Sequence, residues 1–138
     1  DIYHYFGLGC RNITKIYVPA DYDFIPLLDA FRKYDELKNH NKFRNNLDYN
    51  LALYILNNQF YMSNESLLLV EDKRLFSAVA VLNFEYYSDK NEVLEYIQHS
   101  QEVQAIVGHD FIPFGSAQKP SITDFADGVN TVDFLNSL

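Results

Sequence analysis

Phe6-Gly7-Leu8-Gly9-Cys10-Arg11-Asn12-Ile13-Thr14-Lys15-Ile16-Tyr17-Val18 sets a glycine-bracketed turn, a short polar turn and a β-branched run one after another. Lys15 to Val18 reads as a strand that Pro19 stops. Asp21 is then the expected N-cap of a helix in which Phe24, Leu27, Leu28, Phe31 and Tyr34 recur at spacings of three and four, the amphipathic period. Pro26 falls in its first turns, where a missing N–H matters least. A strand followed by a helix opens an alternation that the rest of the chain continues.

Asn39 to Asn46 is polar, a loop or a capped helix start. Leu47, Leu51, Tyr54 and Ile55 then keep helical spacing until Asn57 and Asn58 close it. Leu67 to Val70 and Val79 to Tyr87 read as strands, and Asp89 caps a helix carrying Val93, Leu94 and Ile97. Val103 to Val107 is expected as a further buried strand ending at Gly108, and Ile2 to Phe6 as an extended strand that needs neighbours. Pro113 to Pro120 is turn chemistry. Ala126-Asp127-Gly128 is a polar turn ahead of Val129, Val132, Phe134 and Leu135. Strands alternating with helices predict an α/β layer with parallel pairing, and no repeat or linker divides residues 1–138 into more than one domain.

The chain has 138 residues, of which 48% are apolar, with eleven Tyr and eleven Phe, enough to build a core. Its formal charge of -8 repels phosphate backbones and argues against a nucleic-acid partner. No run approaches the roughly 18 apolar residues of a membrane span, and no signal pattern opens the chain, so membrane insertion and secretion are not expected. One cysteine rules out an internal disulfide and suits a reducing cytoplasm. His4, His40, His99 and His109 share no metal-type spacing, and no metal is expected. The start at Asp1, directly before an extended run, reads as a fragment of a larger chain.

Cys10 is the candidate nucleophile. A thiolate is the reactive form of cysteine, and Arg11 and Lys15 bring positive charge that favours it. Gly7 and Gly9 leave room for a carbonyl to approach the sulfur and the backbone N–H groups around it. His4, on the expected strand, alternates toward the same side as the thiol, the arrangement of a Cys-His pair. His109 and Asp110 follow an expected strand end, where α/β folds gather site residues. The alternative is a small buried cysteine with no chemistry.

Gly7 to Val18, with Tyr22 to Phe31 behind it, resembles the active-site segment of the aldehyde dehydrogenase superfamily: glycine, two residues, the catalytic cysteine, a helical turn, a strand, then a helix. Leu75-Phe76-Ser77-Ala78-Val79 stands in the place of that family's Phe-Gly-Pro segment, and Ile112-Pro113-Phe114-Gly115 resembles its C-terminal Pro-Phe-Gly motif. Tyr5 to Asn12, Phe114 to Pro120 and Asp124 to Val129 are similar to the fatty acyl-CoA reductase (LuxC-like) branch.

The resemblance implies the cysteine-bearing catalytic domain of such an enzyme: a three-layer-type sheet with helices on both faces, lacking the nucleotide-binding domain. It implies Cys10 as the residue that forms the acyl-enzyme, with Gly9, Arg11, Asn12 and Phe114 as the substrate or oxyanion region. It implies acyl-CoA or aldehyde as substrate and NADPH or NADH as cofactor, bound mainly by a domain outside this chain. On either enzymatic reading the chain alone is expected to be inactive, making no NADPH-dependent aldehyde from fatty acyl-CoA.

The segment that contacts the nicotinamide ribose in hydrolytic members has a glutamate, where this chain has Arg74, and Ser77 and Ala78 replace its glycine and proline. Glu71, Arg74 and Phe76 are the residues left for a cofactor contact, and Glu71 or Asp72 takes the glutamate's role only with a register shift. Two alternatives stand beside the reductase: a fragment of a hydrolytic aldehyde dehydrogenase, and a non-catalytic interaction or oligomerisation module, a homo-oligomer among its forms, in which Cys10 is inert and the aromatic strands pair with another subunit.

Overall fold

Leu67, Leu68, Leu69 and Val70 are at most 1% exposed, which is what an unbroken apolar run becomes when it is covered on both faces inside a sheet. The computed structural model describes residues 1–100, 102–125 and 128–138. It is an α/β arrangement built on a mixed, open, four-stranded sheet. The strands are β1 (Lys15–Pro19), β2 (Met62–Ser63), β3 (Leu68–Glu71) and β4 (Val81–Tyr87), in the order β1-β4-β3-β2. β1, β4 and β3 run parallel, and β2 pairs antiparallel with β3. The helices are α1 (Ile25–Phe31), α2 (Asn41–Leu56), α3 (Lys90–Gln98) and α4 (Thr131–Asn136). A 3-10 helix, Arg32–Asn39, joins α1 to α2.

Register assigns the faces. Lys15 pairs with Asn83 and Asn83 with Val70, so these three share one side of the sheet, while Ile16, Phe84 and Glu71 share the other. Phe24, the residue that opens α1, lies on that second side, with its ring 4.6 Å from Phe84 and 6.4 Å from Tyr86. Burying side chains such as Phe84, Leu82 and Leu69 contributes roughly 1.5–3 kcal/mol each.

β3 and β4 are parallel neighbours joined only by residues 72–80, with no helix in the crossover. That short return is held against the first side of the sheet. Asn83 Nδ2 donates to Arg74 O and Phe76 O, both at 3.1 Å, and Thr14 Oγ1 donates to Leu75 O at 2.8 Å. Lys15 Nζ donates to Lys73 O at 2.7 Å and pairs with Glu85 while only 4% of its side chain is exposed. Asn50 of α2 reaches Val79 O at 3.0 Å and fixes the far end of the return.

Several sequence expectations are corrected. Ile2 to Phe6 is not a strand: His4–Gly7 forms a 3-10 turn in which Tyr5 (φ 53°) and Phe6 (φ 59°) are left-handed, because Asn12 gathers the carbonyls of Asp1, Ile2 and His4 and curls the segment. Val103 to Val107 is not a strand either. Only Val107 bridges, to Ile112, since the turn at Gly108–Phe111 folds the chain back on itself instead of toward the sheet. Asp21 does not cap α1: the N-cap position is Phe24, without a side-chain cap, and Asp23 Oδ1 accepts from Ile25 N at 2.9 Å. The expected single helix to Tyr34 stays α-helical only to Phe31 and then tightens into the 3-10 helix. The turn expected at Ala126-Asp127-Gly128 lies partly outside the described residues.

Candidate functional site

Cys10 and Arg11 occupy the two central positions of a turn closed by Asn12 N donating to Gly9 O at 2.9 Å. The thiol is exposed. The turn sits before β1, at the amino ends of the parallel strands, whereas open α/β sheets usually gather ligands at the carboxyl ends.

A second segment is brought against this turn from more than a hundred residues away. Arg11 Nε donates to Ala117 O at 2.7 Å, while Gly115 N and Ala117 N donate to the two carboxylate oxygens of Asp1 at 2.6 and 2.9 Å. Ala117 is fully buried in this contact. Gln118 reaches under Gly9: a Cβ built on that glycine would stand 3.3 Å from Gln118 Nε2 and 2.7 Å from Asn12 Oδ1. Gln118 Nε2 is itself buried without a hydrogen-bond partner among the described residues. Gly9 is therefore required by close approach and not by a left-handed backbone.

The other residues expected here divide by what they are already doing. Asn12, 9% exposed, donates through Nδ2 to Asp1 O, Ile2 O and His4 O at 2.9–3.0 Å and accepts from Gly9 N at 2.6 Å. The Asn12 amide and the Gly9 N–H thus hold the loop together and are not free to meet an oxyanion. The backbone N–H groups of Cys10 and Arg11, at the outer corners of the turn, make no hydrogen bond among the described residues. Lys15 turns into the sheet toward Glu85, so it does not serve the thiol. Arg11 remains as the nearby cation. Asp124 feels its charge: the carboxyl is held below the usual range, first by the Ser121 N–H and last by Arg11.

Phe114 is 71% exposed, its ring edge-on to His109 at 5.9 Å. His4 is exposed on the 3-10 turn, where the alternation that would aim it at the thiol does not exist. Asp110 pairs with Lys90 at 3.5 Å. Glu71 ends β3, and Arg74 and Phe76 lie on the return loop, whose Leu75 O accepts from Thr14 Oγ1. Arg74 is tied to Asp72, whose carboxyl it lowers. Its guanidinium is engaged by Asp72, and the carbonyls of Arg74 and Phe76 are bound by Asn83.

Sequence reasoning missed Asp1 and Gln118. A carboxylate that binds two backbone N–H groups 114 and 116 residues away leaves no local signal. Among the described residues no group of three or more His, Cys, Asp or Glu is placed to hold a metal, and no helix is long and apolar enough to cross a membrane. Compared with family models, curated proteins and solved structures, the chain matches none.

Proposed function

We propose that this chain is the cysteine-bearing part of a fatty acyl-CoA reductase of the aldehyde dehydrogenase type, its sheet belonging to a three-layer catalytic domain with helices on both faces. The observation that carries the reading is the docking of the Gly115–Gln118 segment onto the Cys10 turn through Arg11 and Asp1. Two segments that resemble separate landmarks of one active site meet, and the thiol carried by one of them is exposed.

In the proposed reaction the Cys10 thiolate forms a bond to the thioester carbonyl carbon, and the oxygen gains negative charge. The N–H groups of Cys10 and Arg11 stabilise that oxyanion, a contribution of about 3 kcal/mol where such donors are preorganised. The bond to the CoA sulfur then breaks, CoA takes a proton from water, and an acyl group remains on Cys10. NADPH or NADH supplies the hydride in such enzymes. The acyl transfer is the half of the chemistry that this chain's own residues perform.

Incubation with a fatty acyl-CoA, followed by intact-mass measurement, tests this. A single acyl adduct, removed by hydroxylamine and lost in Cys10→Ser, is the expected result. An adduct that persists in Cys10→Ser, or none at all while iodoacetamide still alkylates the thiol, overturns it. A non-catalytic interaction module is the second reading, favoured by apolar side chains left in solvent on α2 and α4, among them Leu56 at 77% and Leu135 at 60% exposed. Self-association measured by sedimentation, with no acyl transfer, would support it.

A further inference from the structure

The second half of α2 is apolar on every side. Leu51-Ala52-Leu53-Tyr54-Ile55-Leu56 sets six apolar residues in succession, so they wrap the whole circumference, whereas a helix packed on one face keeps polar residues on the other. The inner stripe is accounted for: Phe43 and Leu47 are core, Asn50 holds the return loop, and Leu51 and Tyr54 pack against the core. The outer stripe is left in solvent. Tyr49 is 64% exposed and Leu56 77%, with Leu53 on their flank and Phe60, 73% exposed, just beyond the end of the helix.

Spacing identifies what fits this stripe. Asn45, Tyr49, Ala52 and Leu56 follow one another at intervals of four, three and four, the alternation with which one helix meets another along a seam. Ala52, the smallest of them, keeps the middle of the seam low enough for a second backbone to approach. We propose that α2 is the seam of a two-fold dimer of this chain, its outer face packed antiparallel on the same face of a second copy.

Charge sets the direction. The charged residues of α2, Lys42, Arg44 and Asp48, all lie in its first half, and its second half has none. A parallel pair would set Lys42 against Lys42. An antiparallel pair, with its two-fold axis between Ala52 and Leu53, overlaps only the apolar halves, holds the cations at opposite ends and opposes the two helix dipoles. Tyr49 of each copy then packs on Leu56 of the other, since the two residues stand about 10 Å apart along the helix and at equal distances from the axis.

The area is of the size a dimer needs. Tyr49, Leu53, Leu56 and Phe60 leave about 500 Å² open, close to the largest apolar patch an ordinary monomer carries. The exposed Asn45, Asn46, Ala52 and Ile55 around them extend the face toward the roughly 800 Å² that each partner buries in a standard interface. The inference is independent of whether Cys10 reacts and gives the second reading above its surface: loss of acyl transfer leaves the dimer standing, and loss of the dimer leaves that reaction standing.

Sedimentation velocity on the 138-residue chain across a concentration series tests it, and a monomer–dimer equilibrium is expected. Leu56→Glu changes a side chain that is already in solvent and is expected to raise the dissociation constant at least about tenfold, with an unchanged urea midpoint. Leu135→Glu, on α4, is expected to leave it unaltered. In a Cys10→Ser background, Ala52→Cys lies beside the axis and is expected to give a disulfide-linked dimer on oxidation. Asn45→Cys, whose two copies stand at opposite ends of the seam, is expected to give none. A chain that stays monomeric, which would leave the face to a different partner, a dimer untouched by Leu56→Glu or abolished by Leu135→Glu, or crosslinking at Asn45→Cys would each overturn the seam.

Discussion

Two asparagines do the same chemistry in two very different settings. Asn83, 1% exposed in the middle of β4, binds two carbonyls of the return loop, and its own backbone N–H is fixed by Thr14 O at 3.0 Å. Asn12, on the loop before β1, binds three carbonyls and one N–H of the segment that carries Cys10. Asn83 is held in place by strands on both sides and would stay put without its loop. Asn12 is held chiefly by the groups it holds. The sheet is thus an over-determined frame, whereas the cysteine turn depends on one side chain and on the strap from Gly115 to Gln118.

Breaking the frame should cost most. Asn83→Ala leaves two carbonyls unpaired against the sheet and opens a cavity, and a loss of about 3 kcal/mol of global stability is expected from urea unfolding. Asn12→Ala should cost about 2 kcal/mol, and its signature is local: faster iodoacetamide alkylation or lost amide protection at residues 1–12 well before the sheet opens. Equal protection changes in both regions would erase the distinction between frame and loop.

Tyr3 sharpens the comparison with a smaller effect, since it joins the N-terminal segment to the frame through Ser66 at 3.0 Å and stacks on Tyr34 at 4.5 Å. Burial pushes its phenol from the ordinary 10.0 up to about 12. The folded state therefore favours the neutral phenol. Its contribution is complete below pH 10 and is lost as pH rises toward 12, because the unfolded chain releases that proton first. Alkaline unfolding followed by tyrosinate absorbance should show this step, and Tyr3→Phe should remove it while costing about 1 kcal/mol at neutral pH.

Much of the frame was legible along the chain. The apolar run at Leu67–Val70, the stop at Pro19 and the cap at Asp89 each act within a few residues, and the elements they announce formed where expected. Ile2 to Phe6 and Val103 to Val107 had strand-like composition, but the first curls into a 3-10 turn and in the second, among the described residues, only Val107 forms a bridge, to Ile112. β2, two residues long, carries no pattern that reasoning by period can see. At the site, the cysteine that follows two glycines was visible, but the work of Asn12 was not. An asparagine that organises a loop and one that contacts a ligand have the same side chain and the same spacing.

What the amino-acid order determined by itself is the set of local choices: which stretches are strands or helices, where proline ends them, and that a single thiol sits in a tight turn. These are settled by φ/ψ preferences and apolar period, which act over a few residues. Tertiary structure alone decided that Asp1 and Arg11 would seize the backbone from Gly115 to Ala117, that Lys15 would turn to Glu85 and away from the thiol, and that Asn83 would anchor a helix-free crossover. Hydrogen bonds of that kind are specified by where distant backbone groups come to rest, and that position exists only once the sheet has formed.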